Sequence, residues 1–261
     1  MISLLKSKVI FGTHKVSQEA ISFAIQNGLI LDTATGYNNA NLISKAMDES
    51  KNTPVIITKF NPNDFNDGIE KSIKKHLDDL SNSKPDIVLI HSPLETDDRN
   101  VQAFLELKKL FPSSIIGISN FSASQIQYLL NNGCIPQVVS IEFHPYYQPL
   151  NLVNYCKKNN IIITGYRTFA KGQALNDPII KELSKKYHCS ESDIILTWSL
   201  ICGVIPIVSS SKFTNISNFI DFNKNKHDAI NLDPDDLAKL KSLNKGFNGS
   251  TCMTRYCQHD G

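Results

Sequence analysis

The sequence predicts an α/β fold, a (β/α)8 TIM barrel built as a single domain. Three observations predict it. Eight short apolar runs recur, at residues 9–11, 29–31, 55–58, 87–90, 115–118, 138–141, 161–164 and 204–208. Each is continuously apolar rather than alternating, which is how a strand reads when both its faces are buried, as in a parallel sheet. Helical patterns separate the runs, and the chain of 261 residues has the length of one such barrel.

The helical patterns follow in chain order. Residues 17–27 open with Ser17 as N-cap and stop at Gly28. Residues 66–80 carry Ile69, Ile73, Leu77 and Leu80 at steps of three and four. Residues 101–110, 123–131, 150–159, 179–187 and 233–243 read similarly. The longest apolar stretch, 194–208, holds Gly203 and Pro206. It falls short of the ~20 residues that cross a bilayer, so it reads as a buried helix running into the eighth strand. No linker, repeat or charge block divides the chain, so 1–261 is one domain, with an irregular tail over 246–261. A doubly wound sheet is the main alternative fold. A dinucleotide-binding one would carry G-x-G-x-x-G after its first strand, but Gly12 has no such partners and no Walker A sequence is present.

Composition narrows the function. Twenty-seven Lys and Arg face twenty-five Asp and Glu, a net charge of +2, and hydrophobic residues make up 41%. This excludes a disordered chain and gives no electrostatic case for nucleic acid or an anionic membrane. The first fifteen residues are too interrupted by Lys6 and Lys8 for a signal peptide, so a cytoplasmic protein is expected. No two of the six cysteines are spaced C-x2-C, and reduced thiols are expected. Cys252 and Cys257 alone are close in sequence, and no metal site is expected of them. No interface stripe is visible, so a monomer is the default.

In such a barrel the active site lies at the C-terminal ends of the strands. Strand two ends in Asp32, strand three in Lys59 and strand four in His91, and Tyr37 follows in the second loop. Taken singly, Asp is a cap, Lys an edge charge and His a packing residue. Four ionisable groups at adjacent strand ends make repeated coincidence a poor explanation.

The segments GTHK, DTATGYNN, VIITKF, DIVLIHSP, IIGISNF, PQVVSIEFHP and GYRTFAKG resemble, in order and spacing, those of the aldo-keto reductases, from about Val9 to about Leu243. The resemblance implies the same barrel and a carbonyl reduction to an alcohol, with hydride from a nicotinamide dinucleotide. It implies a catalytic tetrad of Asp32, Tyr37, Lys59 and His91. Tyr37 would be the proton donor, Lys59 would lower its pKa from the usual ≈ 10, Asp32 would hold Lys59, and His91 would orient the carbonyl oxygen. Ser119 and Asn120 resemble the pair that holds the nicotinamide carboxamide, and Tyr166 the aromatic that stacks on the ring. Thr13 and Asp32 join the cofactor set by the same resemblance.

Several positions depart from the family pattern. Ser140 stands where a carboxamide-binding Gln is usual. His14 and Ser92 stand where the family places aromatics, so a substrate wall of His14, Tyr37, His91 and Ser92 is expected to be polar and open. After strand eight, Ser209 and Asn215 replace the Lys and Arg that hold a 2′-phosphate, and Phe219 replaces an adenine-binding Asn. Ser209, Ser210 and Lys212 remain as candidate phosphate contacts. NADPH is implied by resemblance, with NADH use expected as well. Two alternatives to a reductase stand beside this reading: a cofactor-sensing or scaffold protein on the same fold, and a Schiff-base lyase using Lys59.

Overall fold

The structure is a computed structural model that describes residue 5 and residues 9–66, 68–81, 83–224 and 230–252. Its strands are β1 (Ile10–Gly12), β2 (Ile30–Asp32), β3 (Ile56–Phe60), β4 (Ile87–Ile90), β5 (Ile115–Ser119), β6 (Val138–Glu142), β7 (Ile162–Tyr166) and β8 (Val204–Val208). All pair parallel in chain order, and β8 returns to β1 to close the barrel. Around them run α1 (Gln18–Gln26), α2 (Ala40–Ser50), α3 (Ile69–Asp79), α4 (Asp97–Leu110), α5 (Ala123–Asn131), α6 (Leu150–Lys158), α7 (Pro178–Lys186), α8 (Glu191–Ile201), α9 (Phe213–Lys224) and α10 (Pro234–Ser242). No helix among the described residues is long and apolar enough to cross a membrane.

Period-two alternation along each strand sorts the side chains. Ile10, Ile30, Ile57, Ile87, Leu89, Ile115, Val138 and Ile207 form one buried cluster with Leu5. A cluster drawn from seven strands and from no helix is the barrel interior. The neighbours of these residues point outward. Phe11, Leu31 and Ile56 pack with Ala20, Ile21 and Ile43 of α1 and α2. Phe60, Val88, Ile90 and Ile118 pack with Phe104 and Leu107 of α4. Each buried Ile or Leu stabilises by about 1.5–3 kcal/mol relative to exposure. The same alternation then dictates the site. Two residues beyond Ile30 is Asp32, beyond Ile57 is Lys59, and beyond Leu89 is His91. All three enter the barrel mouth from its C-terminal rim.

The helices start where local chemistry provides caps. Ser17 accepts a hydrogen bond from the Ala20 amide, and Gly28 adopts the left-handed conformation just past α1. Helix α4, capped by Thr96, starts four residues before the expected 101, because its first turn is Asp-Asp-Arg-Asn and shows no apolar period. Helix α3 begins at Ile69 rather than 66, after a separate turn of 3-10 helix at Pro62–Phe65. Helix α2 has no counterpart among the expected patterns. Several strands run past their expected ends, into Lys59 and Phe60, Ser119, Glu142, and Gly165 and Tyr166.

The tail also differs from expectation. Residues Gly246–Gly249 form a 3-10 turn, and Ser250 is buried. The Ser250 hydroxyl donates to one Glu142 oxygen (2.5 Å), and the Thr251 amide and hydroxyl donate to the other (2.7 and 2.6 Å). Burial raises the proton affinity of Glu142, but the hydrogen bonds from His144, Ser250 and Thr251 outweigh it and hold the carboxyl at about 2. Buried hydrogen bonds to Glu142 thus latch the tail at Ser250 and Thr251. Cys257 lies outside the described residues.

Gly117 shows how tightly the interior is packed. A Cβ there would sit 2.3 Å from the Val138 carbonyl oxygen and 2.7 Å from Leu89 Cδ2. The backbone of β6 cannot yield without breaking its ladder. Gly117→Ala is therefore expected to lower stability by roughly 1–3 kcal/mol, read from urea unfolding. An unchanged midpoint would contradict the packing.

Candidate active site

Asp32 and Lys59 form the centre of the mouth. Lys59 Nζ donates to both Asp32 oxygens at 2.6 Å and to the Thr33 carbonyl at 3.1 Å, and both residues are buried. Burial works against the ammonium, but the Asp32 charge and the Tyr37 phenol more than offset it, so the Lys59 pKa is raised. Lys59 is therefore a fixed cation. Tyr37 lies in a 3-10 turn (Thr35–Tyr37) after β2. That turn is tied down by Thr35, whose hydroxyl donates to Asp64 Oδ2 at 2.6 Å. Lys59 Nζ sits 5.5 Å from the Tyr37 ring centroid, and the ring packs edge-on against His91 at 5.9 Å. Asp32, Tyr37, Lys59 and His91 are thus one cluster.

The proton affinities differ in one respect from expectation. Burial raises the Tyr37 pKa, Lys59 pulls it down and Asp32 pushes it up, and the net shift is upward. The expected lowering by Lys59 is real as a component but is outweighed by burial. The phenol accordingly stays protonated near neutral pH. Burial, then Lys59, then His14 push the His91 pKa down from 6.5 to about 3, so its imidazole is neutral. Its Nδ1 is buried with no hydrogen-bond partner among the described residues.

A cavity of about 930 Å³ runs from this cluster across the barrel rim. Its wall takes in His14, Ser119, Asn120, Tyr166, Phe169, Ser209, Asn215, Asn218 and Phe219 besides the four central groups. The Asn120 amide nitrogen donates to the His91 carbonyl at 2.9 Å and to Ser119 Oγ at 3.1 Å, while its Oδ1 accepts from the Tyr166 hydroxyl at 2.5 Å. The side chain of Asn120 thereby ties the ends of β4, β5 and β7 together. Both Asn120 amide hydrogens are used, leaving one acceptor lone pair, while the Ser119 hydroxyl is a donor beside it. A carboxamide, which offers a donor and an acceptor, matches that pair. A volume of this size, lined by both polar and apolar residues, suits a dinucleotide.

Five expected site residues are not on the wall. Thr13 is sealed, its hydroxyl donating to the Asp32 carbonyl and accepting from Asn39. Ser140 is fully buried within the sheet, and its Oγ has no partner among the described residues. Ser92 is buried because alternation turns it away from the mouth after His91. Ser210 Oγ accepts from the Lys212 amide and the Asn215 side chain, and Lys212 itself is exposed at the start of α9. Of the expected substrate wall, His14 is in place, its ring 4.7 Å from that of Tyr37. Conversely, Lys15, Arg167, Lys171, Glu191 and Cys252 line the cavity without having been assigned to the site from sequence. The position of Arg167, next after the end of β7, was a signal for it. Cys252 was noted in sequence only for its closeness to Cys257, not as a cavity residue, and its sulfur lies 4.0 Å from the Tyr166 hydroxyl.

Comparison with known proteins agrees with this geometry. The Aldo/keto reductase family matches residues 14–245. A methylglyoxal reductase of Escherichia coli O157:H7 is 30% identical over 247 residues, covering 89% of this chain and 91% of the relative. An NAD/NADP-dependent indole-3-acetaldehyde reductase of Schizosaccharomyces pombe is 28% identical, covering 90% and 86%. An aldo/keto reductase structure from Brucella melitensis superposes with a TM-score of 0.80 at 26% identity, covering 90% and 93%. The chain belongs to the aldo/keto reductase family. It is an oxidoreductase that reduces carbonyls with a nicotinamide cofactor.

A neutral His91 has a measurable consequence. Between about 3 and 6.5 the unfolded chain takes up a proton that the folded His91 refuses. This group therefore adds stability above its unfolded pKa, and that stability is lost as pH falls through this window. In an NMR titration the His91 Cε1 proton is expected to stay at its neutral shift down to about pH 4. A midpoint at 6 or above would contradict the burial of this ring.

Proposed function

We propose that the protein reduces small aldehydes and reactive dicarbonyls, with Tyr37 as the proton donor and Lys59, Asp32 and His91 as its supporting groups. The observation that supports this most is the contact of a buried, doubly hydrogen-bonded Lys59 ammonium with a still-protonated Tyr37 at one end of the cavity. The carbonyl class is carried over from relatives named for methylglyoxal and indole-3-acetaldehyde.

The cofactor, when bound, supplies hydride to the carbonyl carbon. The protein supplies the rest. The neutral His91 imidazole offers an N–H to the carbonyl oxygen, and an uncharged donor does not compete with Tyr37 as an acid. As negative charge develops on that oxygen, the Tyr37 O–H gives it the proton and becomes a phenolate. The neighbouring Lys59 ammonium stabilises the phenolate, and its own charge is fixed by Asp32. Reprotonation of Tyr37 completes the cycle. Ser119, Asn120 and Tyr166 would hold the nicotinamide end, and Ser209, Asn215 and Asn218 the far end of the dinucleotide.

Two features support use of both NADPH and NADH. Asn215, neutral and on the wall, stands at the position where a cation for the 2′-phosphate is expected. Lys212, the remaining cation there, is off the wall. A 2′-phosphate therefore lacks the charge-assisted contacts that create strong preference. The Schiff-base alternative is disfavoured because an ammonium bonded to both oxygens of a carboxylate is a poor amine nucleophile. No observation favours the scaffold alternative.

Tyr37→Phe is expected to lower kcat at least 10²-fold while the dissociation constants of NADPH and NADH, measured by fluorescence quenching, stay within threefold of wild type and within tenfold of each other. Retained turnover in the variant would refute the role of Tyr37. A preference for NADPH well beyond tenfold would refute the dual-cofactor reading.

A further inference from the structure

The charges on the cavity wall are unbalanced. Lys15, Lys59, Arg167 and Lys171 face it, against Asp32 and Glu191. Lys59 and Asp32 neutralise each other. The side chains of Lys15, Arg167 and Lys171 make no hydrogen bond or ion pair among the described residues, so three uncompensated cations face one carboxylate on the wall. Arg167 is half-buried. A guanidinium drawn partly out of water with no protein acceptor carries a cost that a ligand oxyanion would remove.

All three of these cations also stand on left-handed backbone. The φ angles are 57° at Lys15, 56° at Arg167 and 56° at Lys171. Long side chains visit that region rarely, and such strain collects where a surrounding structure fixes a functional group. The surroundings here are built to do so. The Thr168 hydroxyl bridges the carbonyls of Gly165 (3.2 Å) and Ile207 (2.9 Å), and the Ala170 amide donates to the Arg167 carbonyl at 2.7 Å. The backbone beside Arg167 is thus anchored to β7 and β8.

We propose that Arg167, flanked by Lys15 and Lys171, determines specificity by binding the carboxylate or phosphate of an anionic carbonyl substrate whose reacting carbon lies at Tyr37. The proposal rests on the reductase reading above. Its location is supported electrostatically: the Arg167 charge reaches both His14 and Tyr37 and lowers the proton affinity of each, and Lys15 does the same to His14. Arg167 therefore addresses the end of the cavity where the carbonyl reacts. A guanidinium fork matches the two oxygens of a carboxylate, and the surplus of positive charge at a partly desolvated mouth steers anions inward. The same oxyanion chemistry occurs in the diphosphate of the cofactor, so the test separates the two sources.

Benzaldehyde and 4-carboxybenzaldehyde share a reacting group and differ in charge. Steady-state kinetics at low ionic strength are expected to give wild type a kcat/KM at least tenfold higher for the acid. Arg167→Gln is expected to lower kcat/KM for the acid by about 10- to 100-fold, mainly through KM, and that for benzaldehyde by less than threefold. Arg167→Lys should recover part of the preference, and 0.5 M salt should erode it. The cofactor dissociation constant should stay within threefold. An equal loss for both aldehydes with weakened cofactor binding would assign Arg167 to the diphosphate and overturn the proposal. Wild type that reduces benzaldehyde as well as the acid would overturn it while leaving the reductase reading intact. If wild type reduces neither aldehyde but reduces methylglyoxal, the reductase reading stands, and if it reduces none of the three that reading falls; in either case benzoate binding to the protein with cofactor decides the anion site: binding lost in Arg167→Gln upholds it, and no binding by wild type overturns it.

Discussion

The buried ion pair between Lys59 and Asp32 is the constraint on which the rest of the mouth depends. Both groups are almost wholly removed from water, and both carboxylate oxygens are spent on one ammonium. Removing one partner of such a pair typically costs 3–5 kcal/mol, because the other is left as an uncompensated buried charge. Replacing both with apolar groups would often be neutral or better. The pair is therefore weak evidence of stability and stronger evidence of use. It also fixes geometry: the ends of β2 and β3 must stay adjacent, with Asp32 beside Ile57 in register, for the contact to form.

Around that pair the protein trades stability for positioned polar groups. Tyr37 is held in a turn braced by Thr35 and Asp64, and the deeper Thr13, Thr33 and Asn39 bond one another beneath it. His91 Nδ1 and Ser140 Oγ remain without partners among the described residues, although burial makes each such group costly. The interior Ile and Leu layer below supplies the compensating apolar burial. The C-terminal latch on Glu142 does related work from the other side, since Glu142 pairs in register with Tyr166 and the latched tail brings Cys252 beside that ring.

How much was legible in the sequence follows from the same physics. Eight doubly buried strands announce themselves as apolar runs, and the strand-end rule then finds Asp32, Lys59 and His91 without coordinates. The apolar runs stop where a strand ends in polar residues, so those of β3, β5, β6 and β7 leave out Lys59, Ser119, Glu142 and Tyr166, three of which the strand-end reading and the family resemblance recover. Helix α2 went unread although Ala40, Ile43, Ala46 and Met47 recur at steps of three and four along its buried face. Ser92, Ser140 and Thr13 were assigned to the site by resemblance, but their orientation is a matter of strand alternation and local bonding. Arg167 and Lys171 came to the cavity through a loop of unusual backbone angles, which composition does not reveal. The tail latch depends on a contact between residues 142 and 250, more than a hundred positions apart.

The most direct test of the central pair is the Lys59→Met variant, which keeps much of the side-chain volume and removes the charge. If the ammonium exists to stabilise the Tyr37 phenolate, kcat for a neutral aldehyde falls by about 10²–10⁴, the alkaline limb of its pH profile moves up, and cofactor affinity is kept. A variant that folds and turns over at the wild-type rate with an unshifted profile would contradict the account.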